Sequence, residues 1–205
     1  MYAAESSRLW LQPLNLEYHL QDYFEIMSSS GSMLWSGAPH KTIEETRLLM
    51  LDSFPTPEKP WNRRWAIMLK PSASSKSMSM SANGTDANAQ VNSKTLAEQP
   101  KIIGIVGTPR KGELAYKINP EYWGKGYMSE TLTMFLKMFW ESEENKDFTR
   151  LEAGADPENI GSVRVLEKAG FQKGELVKDF HVRAVNEGGG KMSDMQFFYL
   201  ERPGK

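Results

Sequence analysis

The sequence predicts an α/β fold with one mixed sheet of about seven strands and helices on its faces. One observation behind this is the order of segments, since strand-like and helix-like patterns follow one another as β-α-α-β-β-β-α-β-α-β-β. A second is composition. A chain of 205 residues with 40% hydrophobic and 25% charged side chains suits one globular domain, spanning residues 1–205.

The strands are predicted from short apolar runs and from alternation of apolar and polar residues. The first such segment, RLWLQPL, alternates in this way and ends at a proline. In chain order the predicted strands are residues 8–14, 63–69, 101–110, 113–119, 150–156, 172–182 and 195–202.

The helices are predicted from apolar stripes of helical spacing and from their terminal residues. Asn15 is a candidate N-cap of the first helix, and Thr42 with Glu45 forms a capping-box pattern at the second. Gly170 suits the C-terminal cap of the last helix. In chain order the predicted helices are residues 15–29, 43–54, 129–142 and 159–171.

A polar segment at residues 71–100 separates two of the predicted strands. It consists mainly of Ser, Asn, Ala and Lys, and such a composition cannot bury enough apolar area to offset the entropy of ordering it. Each flank is one strand of the same unit. We therefore expect a disordered, low-complexity insertion in a hairpin loop and not a linker between domains.

Composition excludes several classes of function. The absence of cysteine rules out disulfides, thiolate metal sites and a cysteine nucleophile. A net charge of −1 without long blocks of like charge argues against a nucleic-acid partner. No signal peptide or long apolar run is visible, so we expect a cytoplasmic protein without membrane contact. His19, His40 and His181 have no ligand spacing, and no metal site is expected.

Two glycines one residue apart open the third predicted helix, in the stretch YWGKGYMSET at residues 122–131. One interpretation is a tight turn. The other is that the glycines let backbone N–H groups approach an anion at a helix N-terminus. The dinucleotide-binding pattern GxGxxG fails because Ser129 stands at its third glycine, and no P-loop pattern is present.

A second motif favours the anion interpretation. NIGSVRVLEKAGF, at residues 159–171, follows the strand after the glycine helix. This segment and INPEYWGKGYMSETL together resemble the GNAT superfamily of acetyl-CoA-dependent N-acetyltransferases, especially its branch of ribosomal-protein N-terminal acetyltransferases. The order of elements agrees too, so the resemblance covers nearly the whole chain outside the insertion.

The resemblance implies a GNAT fold, in which a central, mostly antiparallel sheet has helices on both faces and is splayed between its fourth and fifth strands. It also implies acetyl-CoA as co-substrate, with the pantetheine arm paired to strand backbone at Lys117, Ile118 and Asn119. Backbone N–H groups, aided by the helix dipole, would hold the pyrophosphate. These belong to Trp123, Gly124, Lys125, Gly126, Tyr127 and Met128.

The sequence departs from the family pattern at two positions. Glu121 stands where many members have Gln or Arg, so its carboxylate must point away from the pyrophosphate. Leu166 stands seven residues after Asn159, where many members carry a tyrosine as general acid. Ser162 is the nearest alternative acid, and the resemblance places it with Asn159 near the cofactor sulfur. A small residue tolerated in a helix is an equally good interpretation of Ser162.

A general base must deprotonate the amine before it attacks the thioester. The resemblance matches Glu152 to a base position in some N-terminal acetyltransferases, and Glu113 is its competitor. Each is also consistent with a solvent-facing strand residue.

The loop after the first helix suggests the acceptor site. Trp35, Ser36 and Gly37 offer an aromatic wall and a small-residue entrance without a cluster of carboxylates. We expect acetyl transfer to a primary amine, on a peptide N-terminus or a small molecule, in preference to spermidine. The alternative is a non-catalytic module that binds a CoA compound as sensor or scaffold, which Leu166 keeps open. Monomer and homodimer are both compatible with the sequence.

Overall fold

A computed structural model describes residues 3–71, 100–183 and 192–204. The strands are β1 Ala4–Glu5, β2 Leu9–Pro13, β3 Arg63–Leu69, β4 Ile102–Arg110, β5 Glu113–Ile118, β6 Arg150–Ala155, β7 Gln172–Val182 and β8 Met192–Glu201. The helices are α1 Leu16–Ser28, α2 Ser30–Met33, α3 Ile43–Asp52, α4 Tyr127–Glu141 and α5 Ile160–Lys168. Short 3-10 helices lie at Pro120–Tyr122 and Glu143–Asn145.

The strands form one sheet in the order β1-β2-β3-β4-β5-β6-β8-β7. Neighbouring strands are antiparallel except β5 and β6, which are parallel and share one aligned pair, Glu113 with Glu152. The N–H of Glu152 donates to the carbonyl of Gly112 at 2.8 Å beside that pair. Beyond it the described strands form no further ladder, so a gap opens towards their carboxyl ends. The predicted mixed, mostly antiparallel sheet, splayed between its fourth and fifth predicted strands, is confirmed.

One short strand and one short α-helix were not predicted, and neither were the two 3-10 helices. The sheet has eight strands and not about seven, because the two residues of β1 pair with Leu11 and Trp10 of β2. Helix α2 has only four residues. Segments this short carry no hydrophobic period, so only the tertiary structure shows them.

The predicted helix ends have the expected partners. The side chain of Asn15 accepts hydrogen bonds from the second and third N–H groups of α1. That of Thr42 accepts from the N–H of Glu45 at 3.3 Å, as in a capping box. Gly170 follows α5 with φ +93°, the left-handed backbone of a C-terminal cap.

Hydrophobic cores cover both faces of the sheet. We call the side on which α4 and α5 pack the α4 face, and its core includes Leu132, Phe135 and Leu166. The opposite side is the α1 face, where α1 and α3 pack with Tyr23 and Met50. Side chains of successive strand residues point to alternate faces.

Two internal segments lie outside the described residues. They are most of the predicted insertion, residues 72–99, and the glycine-rich connection at residues 184–191. At the edge of the first, the N–H of Leu69 donates to the carbonyl of Lys101 at 3.3 Å, so β3 and β4 are still paired there. Among the described residues no helix is long and apolar enough to cross a membrane.

Candidate active site

The glycine pair lies before α4 in left-handed backbone, with φ +71° at Gly124 and +79° at Gly126. The first intrahelical hydrogen bond runs from the N–H of Glu130 to the carbonyl of Gly126 at 3.1 Å, so the N–H groups of Tyr127 and Met128 precede the helical ladder. A Cβ at Gly124 would meet no atom within 4 Å. Packing therefore does not require glycine there, whereas the left-handed backbone conformation favours it.

Arg8, the residue before β2, contacts this loop from a distant part of the chain. Its Nε donates to Glu130 Oε2 at 2.7 Å and its Nη1 to the carbonyl of Lys125 at 3.1 Å, while the guanidinium lies 4.5 Å from the centre of the Tyr127 ring. Burial alone would raise the pKa of Glu130, but hydrogen bonds from Ser6 and Arg8 lower it overall. Glu130 is therefore a charged anchor for Arg8.

The other loop residues lie at the surface. Trp123 is 46% exposed, and its Nε1 donates to the carbonyl of Ile118 at 3.0 Å. The Nζ of Lys125 lies 5.4 Å from the centre of the Tyr122 ring. Glu121 is exposed.

The edge of β5 that faces the gap carries backbone groups from alternate residues. The N–H of Asn119 donates to the carbonyl of Ile103 at 2.9 Å, towards β4. By the alternation of an antiparallel ladder, Lys117 also faces β4, whereas Tyr116 and Ile118 face the gap. Of the three strand residues predicted to pair with pantetheine, Ile118 alone turns its backbone groups to the gap.

A tyrosine hydroxyl from β5 meets Ser162 of α5. The Oη of Tyr116 lies 2.7 Å from Ser162 Oγ, and the side chain of Asn159, the N-cap of α5, accepts from the N–H of Ser162 at 3.1 Å. Burial raises the pKa of Tyr116, and the hydrogen bond with Ser162 opposes this only in part. The phenol is therefore neutral at physiological pH.

Leu166 is fully buried in the core of the α4 face. A leucine side chain packed in the core cannot donate a proton, so position 166 does not supply the general acid, as the sequence indicated. Tyr116 instead brings a phenol to Ser162 from 46 positions earlier in the chain. The one sequence signal for this contact is that Tyr116 lies on the same face of the predicted strand ELAYKI as Leu114 and Ile118.

The two candidate bases lie side by side on neighbouring strands, at the closed end of the gap. Glu113 and Glu152 form the aligned pair of β5 and β6, and the Oε1 of Glu113 is 2.5 Å from Nη1 of Arg110. Leu151 and Ala153 are buried in the core of the α4 face, so Glu152 points to the α1 face. Glu152 lies three residues, about 10 Å, before the end of β6.

A cavity of about 210 Å³ lies on the α1 face above β4 and β5. Ser36 lines it, as do Tyr116, Lys117 and Arg64. The Nζ of Lys117 donates to Ser36 Oγ at 2.8 Å. The cavity thus contains one predicted acceptor residue and reaches β5 at Tyr116, whose side chain packs on the α4 face of the sheet.

The other two predicted acceptor residues do not line this cavity. Trp35 lies beneath Arg183, whose guanidinium is 4.6 Å from the ring centre. Arg183 in turn donates to the buried Asp156 from Nε at 2.7 Å and from Nη2 at 2.9 Å. Gly37 is exposed, and a Cβ there would meet no atom within 4 Å.

Within the described residues, no group of three or more His, Cys, Asp or Glu side chains has the arrangement of a metal site. His19 accepts a hydrogen bond from the N–H of Asn15, and His40 lies 2.8 Å from Thr46 Oγ1. His181 lies 3.9 Å from Asp156.

Residues 8–172 match the family described as the acetyltransferase (GNAT) domain. The chain belongs to the GNAT acetyltransferase family. Two curated relatives are an uncharacterized N-acetyltransferase p20 of Bacillus licheniformis, 28% identical over 109 residues, and a probable N-acetyltransferase YjcK of Bacillus subtilis strain 168, 33% identical over 84 residues. The matched regions are 50% and 38% of this chain, and they span about half the length of the relatives, 57% and 45%.

Solved structures share the GNAT fold over nearly the whole chain. A ribosomal L7/L12 α-N-protein acetyltransferase, RimL, in complex with coenzyme A, has TM-score 0.74 at 12% identity, covering 100% of both chains. A GNAT-family acetyltransferase from Bacillus anthracis has 0.67 at 19%, covering 98% of this chain and 99% of its own. A spermidine N-acetyltransferase from Vibrio cholerae has 0.65 at 16%, covering 96% and 97%. At these identities the GNAT fold is what they share.

Proposed function

We propose that this GNAT acetyltransferase uses acetyl-CoA to acetylate a primary amine by direct attack. The observation that carries the proposal is the Tyr116–Ser162 hydroxyl pair beside the gap between β5 and β6, at 2.7 Å. The glycine loop lies beyond one end of that gap and the cavity on the α1 face opens beside it. Acetyl transfer from acetyl-CoA to an amine needs three sites close together: one that binds the pyrophosphate, a proton donor for the sulfur, and a pocket for the amine.

The residues around the gap suit acetyl-CoA. The backbone N–H groups of Gly124 to Met128 would bind the pyrophosphate, since they precede the ladder of α4 and sit at its positive end. The N–H of Trp123, which was also predicted to do so, donates to the carbonyl of Pro120 at 3.0 Å instead. The gap edge of β5, at Tyr116 and Ile118, would pair with the pantetheine amides. This arrangement leaves the thioester near Ser162.

In the transfer step, the amine nitrogen attacks the thioester carbonyl carbon, so that a C–N bond forms and the C–S bond breaks. The departing sulfur takes a proton from Ser162 Oγ, Tyr116 Oη replaces that proton, and water reprotonates the phenol as the products leave. The proton lost by the amine goes to a base on the acceptor side. Glu152 faces that side, and we propose it as the base, acting through water because it lies at the closed end of the gap.

The competing function is a module that binds a CoA compound without turnover. Its main support was Leu166, and the Tyr116–Ser162 pair weakens that support because a phenol is present without a tyrosine at position 166. Cofactor binding alone would raise the melting temperature by linkage but would release no thiol.

Thiol release separates the two functions. Acetyl-CoA is incubated with the protein and a panel of peptide and small-molecule amines, and free CoA is followed with a colorimetric thiol reagent. The chain has no cysteine, so the protein contributes no background. We expect amine-dependent CoA release. Stabilisation by acetyl-CoA without release for any amine would instead support the binding module.

A further inference from the structure

Two cationic side chains line the cavity on the α1 face, and their contacts are all with neutral groups. The Nζ of Lys117 donates to the carbonyl of Ser32 at 3.0 Å, to Met33 Sδ at 3.1 Å and to Ser36 Oγ at 2.8 Å. The Nη1 of Arg64 lies 3.5 Å from the hydroxyl of Tyr23. Within the described part of the chain, neither cation forms a salt bridge.

A positive charge without a negative partner in a mostly apolar cavity destabilises the folded protein. Burial lowers the pKa of Lys117 to about 8, which still leaves the amine mostly protonated near neutral pH. Buried charges in proteins are normally paired or hydrogen-bonded to an opposite charge. The other walls include Met27, Leu49 and Ile105, which offer no countercharge. A bound anion would supply it.

We propose that this cavity binds an anionic oxygen group, a carboxylate or a phosphate, carried by the acceptor, and that Lys117 and Arg64 are its ligands. This rests on the proposed function, and it narrows the acceptor to a primary amine with an anionic group a few bonds away. The same two charges repel a polycation, which gives a physical reason for the expected preference over spermidine.

The cavity also limits the body of the acceptor. Its volume of about 210 Å³ is below the ~300–1,000 Å³ of pockets that hold drug-sized ligands. Apolar side chains from α1, α2, α3 and β4 form most of the wall. A small, apolar amino acid with a free carboxylate, or its phosphonate analogue, fits this description.

The test uses the full chain and four probes with one apolar body: leucine, the phosphonate analogue of leucine, leucinamide and isovalerate. Specificity constants are measured for the three amines with acetyl-CoA. Binding of all four at millimolar concentration is measured by calorimetry on CoA-loaded protein, which does not depend on turnover. The phosphonate arm distinguishes phosphate-type from carboxylate-type anions.

The variants are Lys117→Met and Arg64→Met, with Lys117→Arg as the charge-conserving change and the exposed Lys137→Met as the matched control. Melting temperature and CoA binding verify that each is folded. Each comparison uses the ratio of an anionic acceptor to leucinamide in variant and wild type. Differences in the intrinsic reactivity of the amines cancel in that comparison.

We expect one or both anionic amines to exceed leucinamide by about tenfold or more, the scale of one charge-assisted hydrogen bond. Either Met variant at the cavity should remove most of that preference, whereas Lys117→Arg and Lys137→Met retain it. The proposal would be overturned if leucinamide were used as well as or better than the anionic amines, or if the ratios were unchanged in both cavity variants. It would also be overturned if leucine, its phosphonate and isovalerate did not bind. Charge-dependent binding without CoA release would leave the anion site standing and contradict the proposed function.

Discussion

Lys117 shows how one residue is changed by its place in the fold. In the sequence it belongs to a strand motif associated with the cofactor, but its backbone faces β4 and its side chain enters the cavity on the α1 face. Its amine is held by Ser32, Met33 and Ser36, with no carboxylate among its contacts. The protonated amine should therefore lower the free energy of unfolding, by an amount that depends on pH.

The pKa of Lys117 falls from 10.5 to about 8 on folding. Below the folded value the buried charge destabilises the native state. Above it, the folded protein has released the proton that the unfolded chain still binds, so stability rises with pH. Relative to Lys117→Met, the wild type should gain at most about 3 kcal/mol in free energy of unfolding between about pH 7 and about pH 10. Urea unfolding of both proteins measures this, and a constant difference would mean that the pKa is not lowered.

Tyr116 and Ser162 should act together on turnover. Ser162→Ala should lower kcat by about 10²-fold, the scale of general acid catalysis, with little change in acetyl-CoA binding. Tyr116→Phe should have a smaller effect because Ser162 remains. If the two form one relay, the double variant should be no slower than Ser162→Ala. Unchanged kcat in both single variants would make water the proton source.

At the scale of elements, the start of α4 is built from parts far apart in the chain. The glycines supply the left-handed turn and Glu130 lies in the first helical turn. Arg8, just before β2, donates to Glu130 and to the carbonyl of Lys125 between the two glycines. The loop is thus held before any ligand binds, which reduces the ordering cost of binding.

Gly124→Ala should weaken acetyl-CoA binding more than it destabilises the fold. The substitution forces a residue with a Cβ into φ +71°, at about 1–2 kcal/mol, and places a methyl group in the open space before the loop. Gly112→Ala is the matched control, since Gly112 has φ +75° in the hairpin between β4 and β5. Both variants should lose melting temperature, and only Gly124→Ala should lose binding by calorimetry. Equal binding in the two would refute the phosphate assignment.

At the scale of the molecule, the site exists because β5 and β6 separate after one aligned pair. Helices α4 and α5 cover one face of the sheet, and α1, α2 and α3 lie towards the other. A thioester lying in the gap would face Ser162 from the α4 face and the acceptor cavity from the α1 face. The two substrates would therefore approach from opposite sides of the sheet.

Replacing residues 72–99 with a short Gly/Ser turn should leave the melting temperature and acetyl-CoA binding nearly unchanged. The flanking strands are paired up to Leu69 and Lys101, so a short turn can close the hairpin. Closure entropy changes by only about 0.6 kcal/mol for each doubling of loop length. Thermal melts and calorimetry on both proteins test this, and a loss of several degrees or of binding would show that the segment contributes to the domain.

The sequence by itself determined the features that depend on neighbouring residues, namely most of the strands and helices and the helix caps. Hydrophobic period located seven of the eight strands and four of the five helices, and the caps at Asn15, Thr42 and Gly170 followed from short-range chemistry. The left-handed turn of the glycine motif was also readable locally, because it is made of consecutive residues, and its role as a phosphate cradle stays a proposal.

Only the tertiary structure decided which side chains meet. The contacts of Tyr116 with Ser162 and of Arg8 with Glu130 join residues 46 and 122 positions apart. They depend on where β5 and β6 separate and on the order of strands, and no local pattern specifies either. The same holds for Lys117 and Arg64, which share a cavity only because β3, β4 and β5 are neighbours in the sheet. Local periodicity sets the face of each side chain, whereas the packing of distant segments sets its partners.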